Sequence, residues 1–413
     1  MSLSNERMPR VRRTVHIASV LGIAIIFICS AAPVTAGTPQ GTRCRGVGVS
    51  PRDNIQALIN DRPQRTTFCF ANGTYTLSET IWTGRKFPTL DLRSGAVVDG
   101  QSGGFTGISG LDAPAGRRGT VILGGTFQHF GNANGPSWVA PVILRGGWVV
   151  TGSEFRENFN SGLAVLGDDA RVTNVHTHHN GRYGLTVGGQ SGVVVENSEI
   201  AYNNTRQLDP GYDAGGTKFA AGTSGTVVRR NKIHHNYGSG VWFDSQHRNA
   251  RIYRNKIYEN YRWGIFWEAS YGGAKIHHNS LSGNGVGDGS SNPYNGQIVV
   301  ADSDGGTSGI EIFDNDIIGS ASPITLIDGS DRSGATRSVS VRDNVMTLQV
   351  DASLVGGFGV DLFSFGAKNR FERNTYRVRD RDAPHWAWNS QTLTWQEWKA
   401  AGHDRTGHLR VIG

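Results

Sequence analysis

The chain has 413 residues, with 41 Lys and Arg against 34 Asp and Glu, a formal net charge of +7. Its 57 glycines, about twice the usual share, exclude a helix bundle, because each interior Gly costs a helix about 1 kcal/mol relative to Ala. Ten Trp, 11 Tyr and 17 Phe supply core material and exclude a disordered chain.

The first element is an address. Arg7, Arg10, Arg12 and Arg13 precede the apolar run Ile17–Ile28, and Val34-Thr35-Ala36 offers a small-residue cleavage site. Residues 1–36 therefore read as a secretory signal, which predicts a protein outside the cell. The run is short for a span of about 20 residues, so no membrane span is expected in the mature chain. Removing the segment takes away four Arg and one Glu, and +7 becomes +4. That excess is spread along the chain rather than gathered into a nucleic-acid stripe, so no nucleic-acid partner is expected. Cleavage also removes Cys29 and leaves Cys44 and Cys69, which predict one disulfide.

Residues 37–100 read as an N-terminal cap with the first coils, and Ile55, Leu58 and Ile59 suit Pro51–Asn60 to a capping helix. Three segments then align without gaps: Gly216–Asn236, Gly240–Asn260 and Gly264–Asn284. Each runs from Gly through a short apolar alternation to Asn, then Ile or Leu, then a second Asn. Asn231, Asn255 and Asn279 recur every 24 residues, and weaker copies place Asn at 174, 197, 315, 344 and 374. A short-strand repeat of this period predicts an all-β chain, a right-handed parallel β-helix over residues 101–375 whose coils stack equivalent residues into columns. The recurring Asn fits an internal amide ladder. Residues 376–413 read as a Trp-rich C-terminal cap. There Thr394-Trp395-Gln396-Glu397 opens a short helix with a capping box, and Trp386, Trp388, Trp395 and Trp398 plug the last coil.

Columns carry the candidate chemistry. Thr217 and Phe219, Val241 and Phe243, and Ile265 and Trp267 form the apolar set expected to face inward. Lys218, Trp242, Asp244, Phe266 and Glu268 then face outward. Asp244 and Glu268, 24 residues apart at one register, should be neighbours across a ladder step, with Lys218 diagonal to Asp244. Two carboxylates about 5 Å apart cannot both ionise cheaply, and such a pair suits a retaining glycosidase. Trp242 and Phe266 are candidate sugar contacts. Tyr212 and Asp213, in an insertion ahead of Lys218, and Tyr271, just after Glu268, are expected to border the same groove. His178-His179, His234-His235 and His277-His278 read as solvated turn histidines.

Across its whole mature length the chain resembles secreted bacterial β-helix repeat proteins, a superfamily with pectate lyases, alginate epimerases and several glycosidases. Trp242-Phe243-Asp244 with Ile265-Phe266-Trp267-Glu268 resembles the strand pair of the β-helix β-xylosidase family. That resemblance implies Asp244 as nucleophile and Glu268 as acid/base, acting on a poly- or oligosaccharide with no cofactor required. Where that family carries a His shortly after the Glu, this chain has Ser270-Tyr271. The alternative is a polysaccharide lyase or uronate C5-epimerase with Lys218 as base and Asp244 and Glu268 holding Ca²⁺. Asp244-Ser-Gln-His247 resembles the Asp-Pro-His of alginate epimerases with one residue more, which makes His247 a further candidate. A third reading is a non-catalytic glycan-binding β-helix.

Overall fold

The computed structural model of the protein describes residues 44–134, 138–285, 287, 295–301, 309–319, 322–327, 336–349, 354–358, 368–388 and 391–413. The expected signal segment, residues 1–36, lies outside them. From Val47 onward the described chain winds as stacked coils. A typical coil contributes three short strands, as in Arg171–Thr173, His176–His178 and Tyr183–Gly188. Equivalent strands pair in parallel, giving one sheet of 11 strands and one of 24. The larger sheet spans two faces joined where the long strands Thr89–Gly103 and Val121–Phe130 turn a corner. Parallel pairing already operates at Val47–Val49 with Phe68–Phe70, within the segment read as the cap with the first coils.

The expected inward set is inside. Val241, Ile265, Phe243 and Trp267 have no exposed surface. Phe219 stacks on Phe243 at 4.4 Å, and Phe243 lies 5.1 Å from Trp267, so the column is a continuous aromatic pile. Each such contact adds about 0.5–1.5 kcal/mol beyond the burial itself. Thr217 is tolerated there because its hydroxyl donates to Gly240 O at 3.1 Å.

Two amide ladders hold the turns. In one, each Asn accepts the backbone N–H and the Nδ2 of the Asn one coil earlier, running Asn231, Asn255, Asn279, Asn315, Asn344 and Asn374 to Asp404. The other runs Asn158, Asn180, Asn203, Asn236, Asn260 and Asn284 to Gln297. Asn174 and Asn197 are not members of the first ladder, contrary to the sequence reading. Ser198 and Val175 hold its earlier steps, while Asn174 and Asn197 sit one residue ahead at φ 51°. Arg230, Arg254 and His278 share that left-handed position, which Asn adopts more readily than most residues.

Asn255 is 2% exposed, and its side chain makes four hydrogen bonds to neighbouring coils. Asn255→Ala should destabilise the fold by about 3 kcal/mol in urea unfolding, because Asn231 N–H and Nδ2 lose their acceptor in a dry turn. Arg254→Ala, in the exposed neighbouring column, should stay within about 0.5 kcal/mol. Equal losses would remove the ladder from this account.

Both ends are closed. Helix α1 (Ile55–Asn60), capped by Asn54, buries Ile55 and Ile59 against the first coils. Helix α2 (Trp395–Ala400) opens on the Thr394–Glu397 capping box and buries Trp395 and Trp398. Trp386–Trp388 pairs antiparallel with Gln391–Leu393, a reversal that ends the 11-stranded sheet. Trp386 and Trp398 have no exposed surface and Trp388 packs on the core, so these tryptophans act as a plug. The last residues return to the larger sheet, His408–Val411 pairing with Thr375–Val378. The expected Cys44–Cys69 disulfide is present and closes a loop worth about 3 kcal/mol in the chain-entropy account. Among the described residues no helix is long and apolar enough to cross a membrane.

Candidate functional site on the smaller sheet

Four neighbouring strands of the 11-stranded sheet build the site: β1 (Tyr183–Gly188), β2 (Gly215–Ala220), β3 (Ser239–Asp244) and β4 (Ile265–Glu268). Register places Lys218, Trp242 and Phe266 in one outward column and Ala220, Asp244 and Glu268 in the next. Asp244 and Glu268 are direct partners, as the 24-residue spacing predicts. The residue after each of these strands turns left-handed, at φ 65° for Ala221, 71° for Ser245 and 43° for Ala269. Both carboxylates therefore occupy the last strand position before the chain turns away.

Lys218 is the hub. Its Nζ lies 3.0 Å from Asp244 Oδ2, donates to Tyr212 O at 3.1 Å and stands 3.7 Å above the Trp242 ring centroid. Ser245 Oγ donates to the other oxygen of Asp244 at 3.0 Å. Trp242 Nε1 donates to Glu268 Oε2 at 3.0 Å. The insertion ahead of β2 is tied down on this face. Arg182 pairs with the Asp213 carboxylate, and Tyr183 Oη donates to Asp213 Oδ1 at 3.3 Å. Burial, and secondarily the Asp244 charge, raise the Tyr183 pKa, so its hydroxyl keeps its proton.

Three expected sugar contacts are corrected. Trp242 and Phe266 face outward yet are only 2% and 5% exposed, because Trp263 packs on both and Val299 and Ala301 complete the cluster. The Lys218 ammonium already stands over the indole. His247 is fully buried. Its Nδ1 accepts from Thr223, its Nε2 donates to the Asp244 carbonyl at 3.0 Å, and burial lowers its pKa to about 4. It braces the turn beneath Asp244 and is closed to substrate. Tyr212, by contrast, is 75% exposed, and its backbone carbonyl accepts from Lys218. Tyr271 is half-buried under the Arg248 guanidinium, 4.2 Å from its ring centroid.

Sequence reasoning missed Arg182, Tyr183 and Trp263. Tyr183 shares a register position with Gly215 and Ser239, and Trp263 likewise precedes the Gly that opens its coil. Reading the residue ahead of each coil-opening glycine as one more column would have found Tyr183 and Trp263.

Calcium at Asp244 and Glu268 does not fit. Calcium takes six to eight oxygens, whereas here one carboxylate oxygen faces an ammonium and one accepts an indole N–H. Among the described residues the three metal-ligating side chains that converge are Glu154, His176 and His178, on the other sheet.

The family model described as a right handed β-helix region matches residues 142–317. The chain is a right-handed parallel β-helix. Among solved structures, the PL6 family alginate lyase AlyGC aligns with a TM-score of 0.54 at 15% identity, over 83% of this chain and 53% of that one. An alginate lyase from Paenibacillus sp. str. FPU-7 gives 0.47 at 13%, over 88% and 99%. The A-module of the Azotobacter vinelandii mannuronan C-5 epimerase AlgE6 gives 0.46 at 15%, over 84% and 88%. At these identities the likeness is one of fold. A search of curated proteins found no match.

Proposed function

We propose that this β-helix is a secreted polysaccharide-active enzyme that cleaves a uronate-containing glycan by β-elimination, with Lys218 as base. The carrying observation is the 3.0 Å contact between Lys218 Nζ and Asp244 Oδ2. A proton passed across it from ammonium to carboxylate yields a neutral amine and a neutral acid side by side. The amine then takes the C5 proton of the uronate, the C4–O bond breaks, and the departing oxygen takes the proton held by Asp244. Substrate binding over the site expels water, which favours this neutral pair over the ion pair. Arg182, bound to Asp213 on the same face, offers positive charge for the uronate carboxylate. Tyr212 supplies an open aromatic face for a sugar ring.

The fold-level likeness to an alginate lyase agrees with this reading. The retaining-glycosidase reading keeps one supporting feature, the direct Asp244–Glu268 register pair. Against it, one oxygen of Asp244 is engaged by the Lys218 ammonium and one oxygen of Glu268 by the Trp242 indole, so both carboxylates already serve protein partners. Digestion of a panel of acidic and neutral polysaccharides, with mass analysis of the products, separates them. Elimination leaves an unsaturated sugar that absorbs in the ultraviolet; hydrolysis adds one water per cut; a binding protein leaves every substrate intact. Hydrolysed products, or none, would overturn the elimination reading.

A further inference from the structure

The histidine pairs expected as solvated turn residues are more structured than that, and the first of them carries a pattern the smaller-sheet site does not use. The strands Glu154–Arg156 and His176–His178 pair in parallel on the outer face of the larger sheet, with Glu154 beside His176 and Arg156 beside His178. His178 Nε2 lies 2.9 Å from Glu154 Oε1, and the His176 and His178 rings are 4.1 Å apart. One ligand atom from each of Glu154, His176 and His178 falls within 4.8 Å of the other two.

We propose that Glu154, His176 and His178 bind a divalent transition-metal ion of the zinc class, on a different sheet from Lys218. Two imidazoles and one carboxylate match the ligand preference of that ion and leave a fourth position open. Zinc held at about 2.0–2.2 Å from each atom sets the ligands about 3.3 Å apart, so side-chain rotation needs to close the widest separation by at most about 1.5 Å.

The surroundings support these side chains as ligands. Thr126 Oγ1 donates to Glu154 Oε2 at 2.8 Å and fixes the carboxylate. With a metal on Nε2, His178 carries its proton on Nδ1, and His179 Nδ1 stands 2.7 Å away to accept it. The site opens into a groove of about 640 Å³ whose lining includes Gly124, Gly152, Glu154, His176, Glu199 and Lys232.

A second copy of the motif explains why His176 decides the matter. Glu199 and His234 repeat the diagonal Glu–His contact at 2.9 Å two coils further on. There the residue in register with the Glu is Lys232, where the first copy has His176. An ammonium, which offers no lone pair to a metal, at the third ligand position leaves that copy a Glu–His pair beside a lysine. An imidazole makes the first one a metal site.

Titration of the tag-free full chain with zinc alone, followed by dialysis and elemental analysis, tests this. Wild type should hold one zinc per chain at micromolar free metal. His176→Lys, which copies an arrangement the fold already carries at Lys232, should weaken binding at least tenfold without lowering the melting temperature. His277→Lys, which alters an unrelated histidine pair, should still hold one zinc. Wild-type protein that binds no zinc, or a His176→Lys variant that binds as wild type does, would overturn the site.

Discussion

Lys218→Ala is expected to lower the rate of polysaccharide cleavage by about 10³-fold, within the range that a positioned proton-transfer group supplies. Asp244→Asn should cost a similar factor, because an amide cannot take the lysine's proton and return it to the leaving oxygen. The double variant should be little worse than either single one, since a base and its proton partner act as a unit. Glu268→Gln is expected to fall less, because its place in the scheme is to hold the Trp242 indole that lies beneath the Lys218 ammonium. Initial rates of unsaturated-product formation measure all four, with melting temperatures confirming that each variant folds. Should Lys218→Ala keep its rate while Glu268→Gln loses everything, the carboxylate pair would be the catalytic unit and elimination would be discarded.

Stability is expected to fall steeply between pH 6.5 and pH 4. His247 and His403 are buried, and burial lowers each pKa to about 4. His403 lies against Trp388, Trp398 and Phe371, with ring centroids at 3.8, 4.3 and 6.0 Å. In the unfolded chain both titrate near 6.5, so between those values the unfolded state binds more protons than the folded one. The stabilisation is therefore complete above pH 6.5 and is lost as pH falls, by about 3 kcal/mol for each histidine at pH 4. Asp404 works against this loss. Burial raises its pKa, so as pH falls the folded state takes up a proton there before the unfolded chain does and recovers part of the stability. Urea unfolding at pH 7 and pH 5 should differ by about 4 kcal/mol from the two histidines together. His403→Phe keeps the aromatic contacts and removes one titration, and should shrink that difference by about 2 kcal/mol. Stability that stays flat over this range would mean that neither histidine is shielded from water.

The coil architecture could be read from the chain because its cause is periodic and local. Asn must recur at one coil length for its amide to reach the next, so the 24-residue interval of Asn231, Asn255 and Asn279 determined the stacking, the inward aromatic column and the pairing of Asp244 with Glu268. Alternation also determined which side chains leave the core. It could not determine what covers them. Trp242 and Phe266 point outward as expected, but Trp263, just ahead of the glycine that opens its coil, closes over both. The resemblance of Asp244-Ser-Gln-His247 to an Asp-Pro-His motif points His247 toward the site, whereas the left-handed turn at Ser245 and Gln246 carries it into the interior. Asn174 and Asn197 matched the repeat but fell one residue out of register, because the left-handed position beside the ladder favours the same residue type. Only the tertiary structure decided these points. The 3.0 Å meeting of Lys218 and Asp244, by contrast, follows from the diagonal register that the spacing predicts. Exposure and covering contacts depend on loops and neighbouring coils whose approach no local spacing encodes, and the closure of Trp263 over Trp242 and Phe266 is the clearest case.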